Sequence, residues 1–248
     1  MISSRSNATV KSTVRLRKRR EREKRGVFVV EGHRATAVAA ALGARLLEVF
    51  HTATAARRRH ALLQSMSGAK IHAVTPEIMA YLTGSPHPPD VIAITPMRPV
   101  PASRAARGDL ILVLAGVKDP AVAGGLLAAG AAAGAAGAIG LRGTTDLFAP
   151  PCVRAGAGAH FALPLAVDVE PEDADAALAG HRIVALSDGG VPVCSENMRP
   201  PIAVVIGEGP LPEAFSRAER VCVPAGPSGV MAGPVARAAV ALYEARRP

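Results

Sequence analysis

Three stretches carry the turns and side chains from which a ligand site could be built: "LAGVKDPAVAGG" (Leu114–Gly125), "VVIGEGPLPEAF" (Val204–Phe215) and "VPAGPSGVMAGPV" (Val223–Val235). Each closes an apolar strand-like run, and in an open α/β sheet ligands collect beyond the carboxyl ends of the strands. In the first, Asp119 is suited to cap a following helix and Pro120 to open it. In the second, Gly207 and Gly209 permit close backbone approach, and Glu208 stands between them. The third is a Gly/Pro-rich loop. After its Asp-Pro, Val113–Gly137 is almost nothing but Ala and Gly. The simplest reading of so bare a helix is close packing against a sheet or a partner subunit.

Other reactive residue types give no pattern. The seven histidines (His33, His51, His60, His72, His87, His160 and His181) form no i,i+4 metal pair. Cys152, Cys194 and Cys222 are far apart, without a CxxC pair, which argues against a disulfide framework and a zinc site. No metal is expected, and a reducing cytoplasm is the compartment that fits.

The elements that must position the loops follow from periodicity. The first part alternates strand and helix patterns: "VFVVEG", "HRATAVAAALGARLLEVFHT", "AARRRHALLQSM", "KIHAVT", "PEIMAYLTG" and "DVIAITPM". This predicts a small α/β domain over residues 1–97. Residues 98–109 ("RPVPASRAARGD") lack periodicity and are expected to be a linker. From 110 to 248 a wholly apolar strand, "LILVLAG", is followed by "AIGL", "HFALPLAV", "RIVALS", "IAVVIG" and "RVCVPA". Helix patterns lie at 122–134, 171–179 and 212–218 and in the closing "PVARAAVALYEARR". Continuous apolar strands of this kind belong inside a parallel sheet. Ala121–Leu141 is uncharged over 21 residues, long enough for a membrane span. Its Ala and Gly offer little apolar area to lipid, so no span is expected. The start of the chain is polar and then basic, without the apolar core of a secretory signal.

Net charge is +9, and Lys11–Arg25 alone, with nine Lys or Arg against Glu21 and Glu23, supplies +7 of it. A short basic segment on a nearly neutral body predicts a polyanionic partner. Arg15, Arg17, Lys18, Arg19, Arg20 and Arg22 are the candidate RNA contacts.

Over nearly the whole chain the sequence resembles the SpoU, or TrmH-type, RNA 2′-O-ribose methyltransferases of the SPOUT class. "RGVFVVEGHRA" and "AYLTGSPHPPDVIAI" are similar to the opening and closing of that family's N-terminal RNA-binding domain. "VLAGVKDPAVAGGLLAAGAAAGAAGAIGL" resembles the first methyltransferase motif and "DLFAPPCVRAGAGAHFALPL" the segment after it. "VVIGEGPLPEAF" and "RVCVPAGPSGVMAGPVARAAVALYE" resemble the second and third motifs. The resemblance implies a small N-terminal α/β domain and a C-terminal, trefoil-knotted SPOUT domain of parallel α/β type. It further implies S-adenosylmethionine as cofactor, a structured RNA (rRNA or tRNA) as partner, and a homodimer. Gly207, Val223, Pro224 and Ala225 match positions whose backbone contacts the adenosine. Glu208 matches the polar residue of the second motif and is the candidate catalytic residue. Arg154 matches a basic position near the family's site.

The departures fall on the motifs themselves. Where the family's first motif carries an Asn and an Arg, this chain has Val122 and Ala128. Where the third motif reads Ser-Leu-Asn, it has Met231, Ala232 and Gly233, with Ser228 as a substitute if the loop shifts. The second motif is shorter than usual. Three functions follow: an RNA ribose methyltransferase with altered catalytic groups, a non-catalytic RNA-binding paralogue, or a SPOUT-fold enzyme repurposed for a small molecule in a cavity opened by Val122, Ala128 and Met231.

Overall fold

The computed structural model describes residues 1–66, 68–195, 198–227 and 229–247. In chain order the elements are α1 (Ala8–Arg15), α2 (Arg19–Arg25), β1 (Val27–Glu31), α3 (His33–Ala41), β2 (Glu48–His51), α4 (Ala53–Arg58), α5 (His60–Ser65), β3 (Lys70–Ala73), α6 (Pro76–Thr83) and β4 (Val91–Pro96). There follow α7 (Ala102–Ala105), β5 (Leu110–Ala115), α8 (Pro120–Ala132), β6 (Gly137–Leu141), α9 (Pro150–Ala155), α10 (Ala159–Ala162), β7 (Leu165–Val169), α11 (Pro171–Ala177), β8 (Arg182–Pro192), β9 (Ile202–Gly207), β10 (Glu219–Cys222) and α12 (Pro234–Glu244). They form two compact units, Met1–Arg98 with Phe148–Phe161, and Pro99–Leu147 with the remainder from Ala162.

The first unit is built on a four-stranded sheet of order β1-β4-β2-β3, antiparallel except for the β2–β3 pair. Side chains alternate across it, as period 2 requires. Val27, Val29, Ile92 and Ile94 join Val10, Ile78 and Leu82 in one core. Val49, Val91 and Ala93 join Ala39, Ala55 and Leu63 in the other. Residues 148–161 belong here because Phe28 packs edge-on to Phe148 at 5.0 Å and stacks on Phe161 at 5.9 Å.

The cationic segment forms two helices. Leu16 is buried and closes α1. Gly26, at φ 60°, ends α2 in the left-handed conformation that glycine adopts without strain. Between the helices Arg22 is 2% exposed and donates Nη1 to the carbonyls of Leu16 and Arg17 at 2.7 and 2.8 Å. A guanidinium at a helix carboxyl end satisfies carbonyls that have no intrahelical partner. Arg22 is therefore a cap, and its place among the RNA contacts is corrected on that ground. The "AARRRHALLQSM" pattern likewise divides, into α4 and α5, at Arg59.

The second unit is a six-stranded, all-parallel sheet of order β10-β8-β9-β5-β6-β7. On one face Ile111, Val113, Ile139, Ile183 and Val205 pack with Ala174 and Leu178 of the α11 region and with Phe215 in a 3₁₀ turn, Glu213–Phe215. The other face is covered by α8 and α12. The Ala/Gly run is thus a packing device: a side chain at Gly125 would come within 2.9 Å of Val235 Cγ2 on α12. Residues 98–109, expected as a linker, contain α7, whose Ala105 is wholly buried in the core of this unit. "HFALPLAV", expected as strand throughout, begins as α10 and becomes β7 only after Pro164. Among the described residues no helix is long and apolar enough to cross a membrane.

Two outcomes are expected from this packing. At Gly137 a methyl group would run into the Ala105 carbonyl. Gly137→Ala should destabilise the chain by about 1–3 kcal/mol, the usual cost of overpacking, seen as a lower urea midpoint. At the end of β1, the Glu31 carboxyl is 4% exposed and lies 3.4 Å from Arg154. Burial raises its pKa, opposed by Arg154 and then by Arg17. A carboxyl that holds its proton more tightly when folded favours the folded state at low pH and loses that contribution as pH rises through its raised pKa. Glu31→Gln should therefore raise the melting temperature at neutral pH, with the gain shrinking as pH falls towards the ordinary carboxylate range. A gain that does not change with pH would contradict this account.

Candidate functional site

The site of the second unit starts from a topological fact. β5 lies between β6 and β9, and from it the chain winds outward through β6 and β7 before reaching the other half of the sheet. Loops leaving β5 and β9 at their carboxyl ends therefore diverge and leave a crevice. The β5–β9 register ends with Ala115 opposite Gly207. A side chain at Gly207 would strike the Ala115 carbonyl, so only glycine fits. The next residue, Glu208, donates its N–H to that same carbonyl at 3.1 Å. Its Oε2 accepts from the Lys118 N–H at 3.3 Å, tying the two loops together. Lys118 Nζ in turn donates to the Gly143 carbonyl at 2.7 Å. Asp119 caps α8 through the N–H groups of Ala121 and Val122, and Pro120 opens it, as its sequence requires.

A cleft of about 480 Å³ opens here, and Gly207, Glu208 and Leu211 form part of its lining. That volume lies within the ~300–1,000 Å³ usual for small-molecule sites. The rest of its polar lining comes from residues that sequence reasoning passed over: Ser187, Asp188, Arg220 and Arg237. Their positions depend on an irregularity in β8. Arg220 of β10 pairs with Ala185 but Val221 pairs with Val191, so residues 186–190 bulge away from β10 while Leu186 still pairs with Ile206 of β9. The bulge presents Asp188 to Arg237 on α12, one helical turn after Gly233, and the two form an ion pair through Arg237 Nη1. Two signals were present. "SDGG" is a turn sequence inside a strand pattern, and Arg237 is a lone cation in "PVARAAVALYE".

The other expected site residues are placed as follows. Val223, Pro224 and Ala225 follow β10 and do not line the cleft; Val223 is half-buried, the other two exposed. Ser228 lies outside the described residues. Val122 and Ala128 are half-buried on α8, and Met231–Gly233 are exposed before α12; none lines this cleft. Among the described residues no group of His, Cys, Asp or Glu could hold a metal ion.

In the first unit, Arg15, Arg17, Lys18, Arg19 and Arg20 are all exposed. They are not equivalent. Arg17 donates Nε to the Leu82 carbonyl at 3.2 Å and Nη2 to that of Tyr81. Arg19 pairs with Glu23 at 2.6 Å. Arg154, half-exposed, faces Glu31.

Residues 7–93 match the family model described as an MRM3-like substrate binding domain. No curated protein sequence matches the chain. Solved structures match it over almost its whole length. An rRNA methyltransferase from Sinorhizobium meliloti is 24% identical with a TM-score of 0.84, over 99% of this chain and 96% of that one. An RNA 2′-O ribose methyltransferase is 25% identical with a TM-score of 0.79, over 98% and 96%. The SpoU methyltransferase AviRb from Streptomyces viridochromogenes, in complex with AdoMet, is 21% identical with a TM-score of 0.79, over 96% of each chain. A small α/β unit joined to a parallel α/β unit, matched end to end by such structures, gives this chain the fold of the SpoU/TrmH-type methyltransferases.

Proposed function

We propose that the protein is a SpoU-type RNA 2′-O-ribose methyltransferase that takes S-adenosylmethionine in the cleft of its second unit. The observation that carries the reading is the Gly207–Glu208 turn at the β5–β9 crevice, in a fold shared with an AdoMet-bound rRNA methyltransferase. The residues present suit the cofactor: a glycine that only backbone can approach, a cleft of suitable volume and polar groups of both signs. Within the cleft the backbone of Gly207 would hold the adenosine; Val223, Pro224 and Ala225 lie outside its lining. When bound, the cofactor supplies a methyl group to an attacking oxygen. Glu208, exposed at the cleft, would accept the proton of the ribose hydroxyl, a role worth ~10²–10⁴-fold. The reading carries with it the family's knotted backbone, a homodimer, a cytoplasmic setting and structured RNA, rRNA or tRNA, as substrate.

A second reading has its own support. Val122, Ala128 and Met231–Gly233 are apolar or small where the family has Asn, Arg and Ser-Leu-Asn. A paralogue that binds RNA without methylating it would need none of those groups.

Calorimetric titration with S-adenosylmethionine and its demethylated product, followed by methyl transfer to structured rRNA and tRNA, separates the two. Cofactor binding with 2′-O-methylated product is expected. Salt-sensitive RNA binding without cofactor binding would leave the paralogue, and absence of both would end each reading. For the RNA surface, Arg15, Lys18 and Arg20 are the cations to replace with Gln. If each meets a phosphate, each loss should flatten the plot of log affinity against log salt by about 0.7–0.9. An unchanged slope would remove this segment from the interface.

A further inference from the structure

The cleft holds two guanidinium groups whose donors are not used up. Arg237 gives Nη1 to Asp188, but its Nε is buried and, among the described residues, has no acceptor. Its side chain is only 18% exposed, whereas that of Asp188 is 80% exposed. Arg220, exposed on β10, makes no side-chain hydrogen bond or ion pair among the described residues. Both line the cleft that Gly207 and Glu208 also line. The two arginines come from different elements, β10 and α12, and line the same cleft beside the 186–190 bulge.

A guanidinium is a planar fork of donors matched to oxyanions. One fork suffices for a carboxylate, whose two oxygens it takes together. Two forks on separate elements suit a group with more oxygens, arranged tetrahedrally. Asp188 already engages one of the forks, yet its exposure makes it easily returned to water. Glu208 contributes a negative charge to the same cleft and disfavours an anion next to itself, which directs an anion to the arginine side.

We propose that Arg237 and Arg220 form a phosphate subsite, with Asp188 as an internal competitor that the phosphate displaces. That the phosphate is an RNA phosphodiester beside the acceptor ribose rests on the function proposed above; the subsite itself does not. It supplies a cation to the cleft from α12, where the first motif has none.

The test uses the full chain, the ¹⁵N-labelled arginine Nε–Hε resonances, and three probes: inorganic phosphate, adenosine 5′-monophosphate and adenosine. Saturable shifts at Arg237 and Arg220 are expected with the two phosphate probes and are larger than any with adenosine, which lacks the phosphate, while Arg17, whose Nε is engaged by Leu82, stays still. Arg237→Lys should weaken nucleotide binding about tenfold, since an ammonium cannot reproduce the fork. Asp188→Asn, at an exposed position, should tighten it several-fold. A purely structural ion pair would give no tightening. No saturable shift with phosphate, an equal response to adenosine, or unchanged affinity in Asp188→Asn would each overturn the proposal. Phosphate binding in a protein that methylates no RNA would uphold the subsite and count against the enzyme reading alone.

Discussion

The second unit depends on how closely two adjacent parallel strands can run to their ends. β5 and β9 stay in register up to Ala115 and Gly207, where the Ala115 carbonyl occupies the space a side chain at 207 would need. From that contact the chain turns, and Glu208 returns its N–H to the same carbonyl. The loop after β5 is then fixed to the loop after β9 by the Glu208–Lys118 hydrogen bond. The crevice comes from strand order, but its width and the direction of its carboxylate come from one glycine against one carbonyl.

Charge in this protein is divided between structure and surface by what each charged group is bonded to. Arg22 is withdrawn from solvent and serves the end of α1, and Arg17 serves the end of α6 through the carbonyls of Tyr81 and Leu82. Arg182 holds Glu219 across the β8–β10 edge and keeps that carboxyl below its usual pKa. A count of cations in a basic segment therefore overstates what a polyanion would meet. Among the described residues Arg15, Lys18 and Arg20 make none of the side-chain bonds that hold Arg17, Arg19 and Arg22.

Much of the scaffold was legible. "IAVVIG" and "LILVLA" read as buried strands because every residue is apolar, and β9 and β5 have those bounds. Asp119-Pro120 announced a helix start for the same reason it makes one, a side-chain oxygen over orphan N–H groups. The misread segments are those where a long-range contact decides. α10 and β7 share one apolar run that local pattern cannot divide. The break between α1 and α2 is stabilised by Arg22, from beyond the break. Of the cleft, the Gly207–Glu208 turn was visible because backbone geometry is written in glycines. Arg237, Arg220 and Asp188 were not, because their meeting requires a bulge in β8 and a helix docked on the far side of the chain.

The bare helix α8 has a role that its composition conceals. α12 rests on it where Gly125 leaves room for Val235, two residues before Arg237, and Arg246 near the other end of α12 donates to the carbonyls of Ala133 and Gly134. The position of the guanidinium in the crevice is thus set from behind, by the thickness of a helix with nothing reactive on it. One added methyl on that helix would act as a shim, tilting α12 and moving the cation without touching any residue of the cleft.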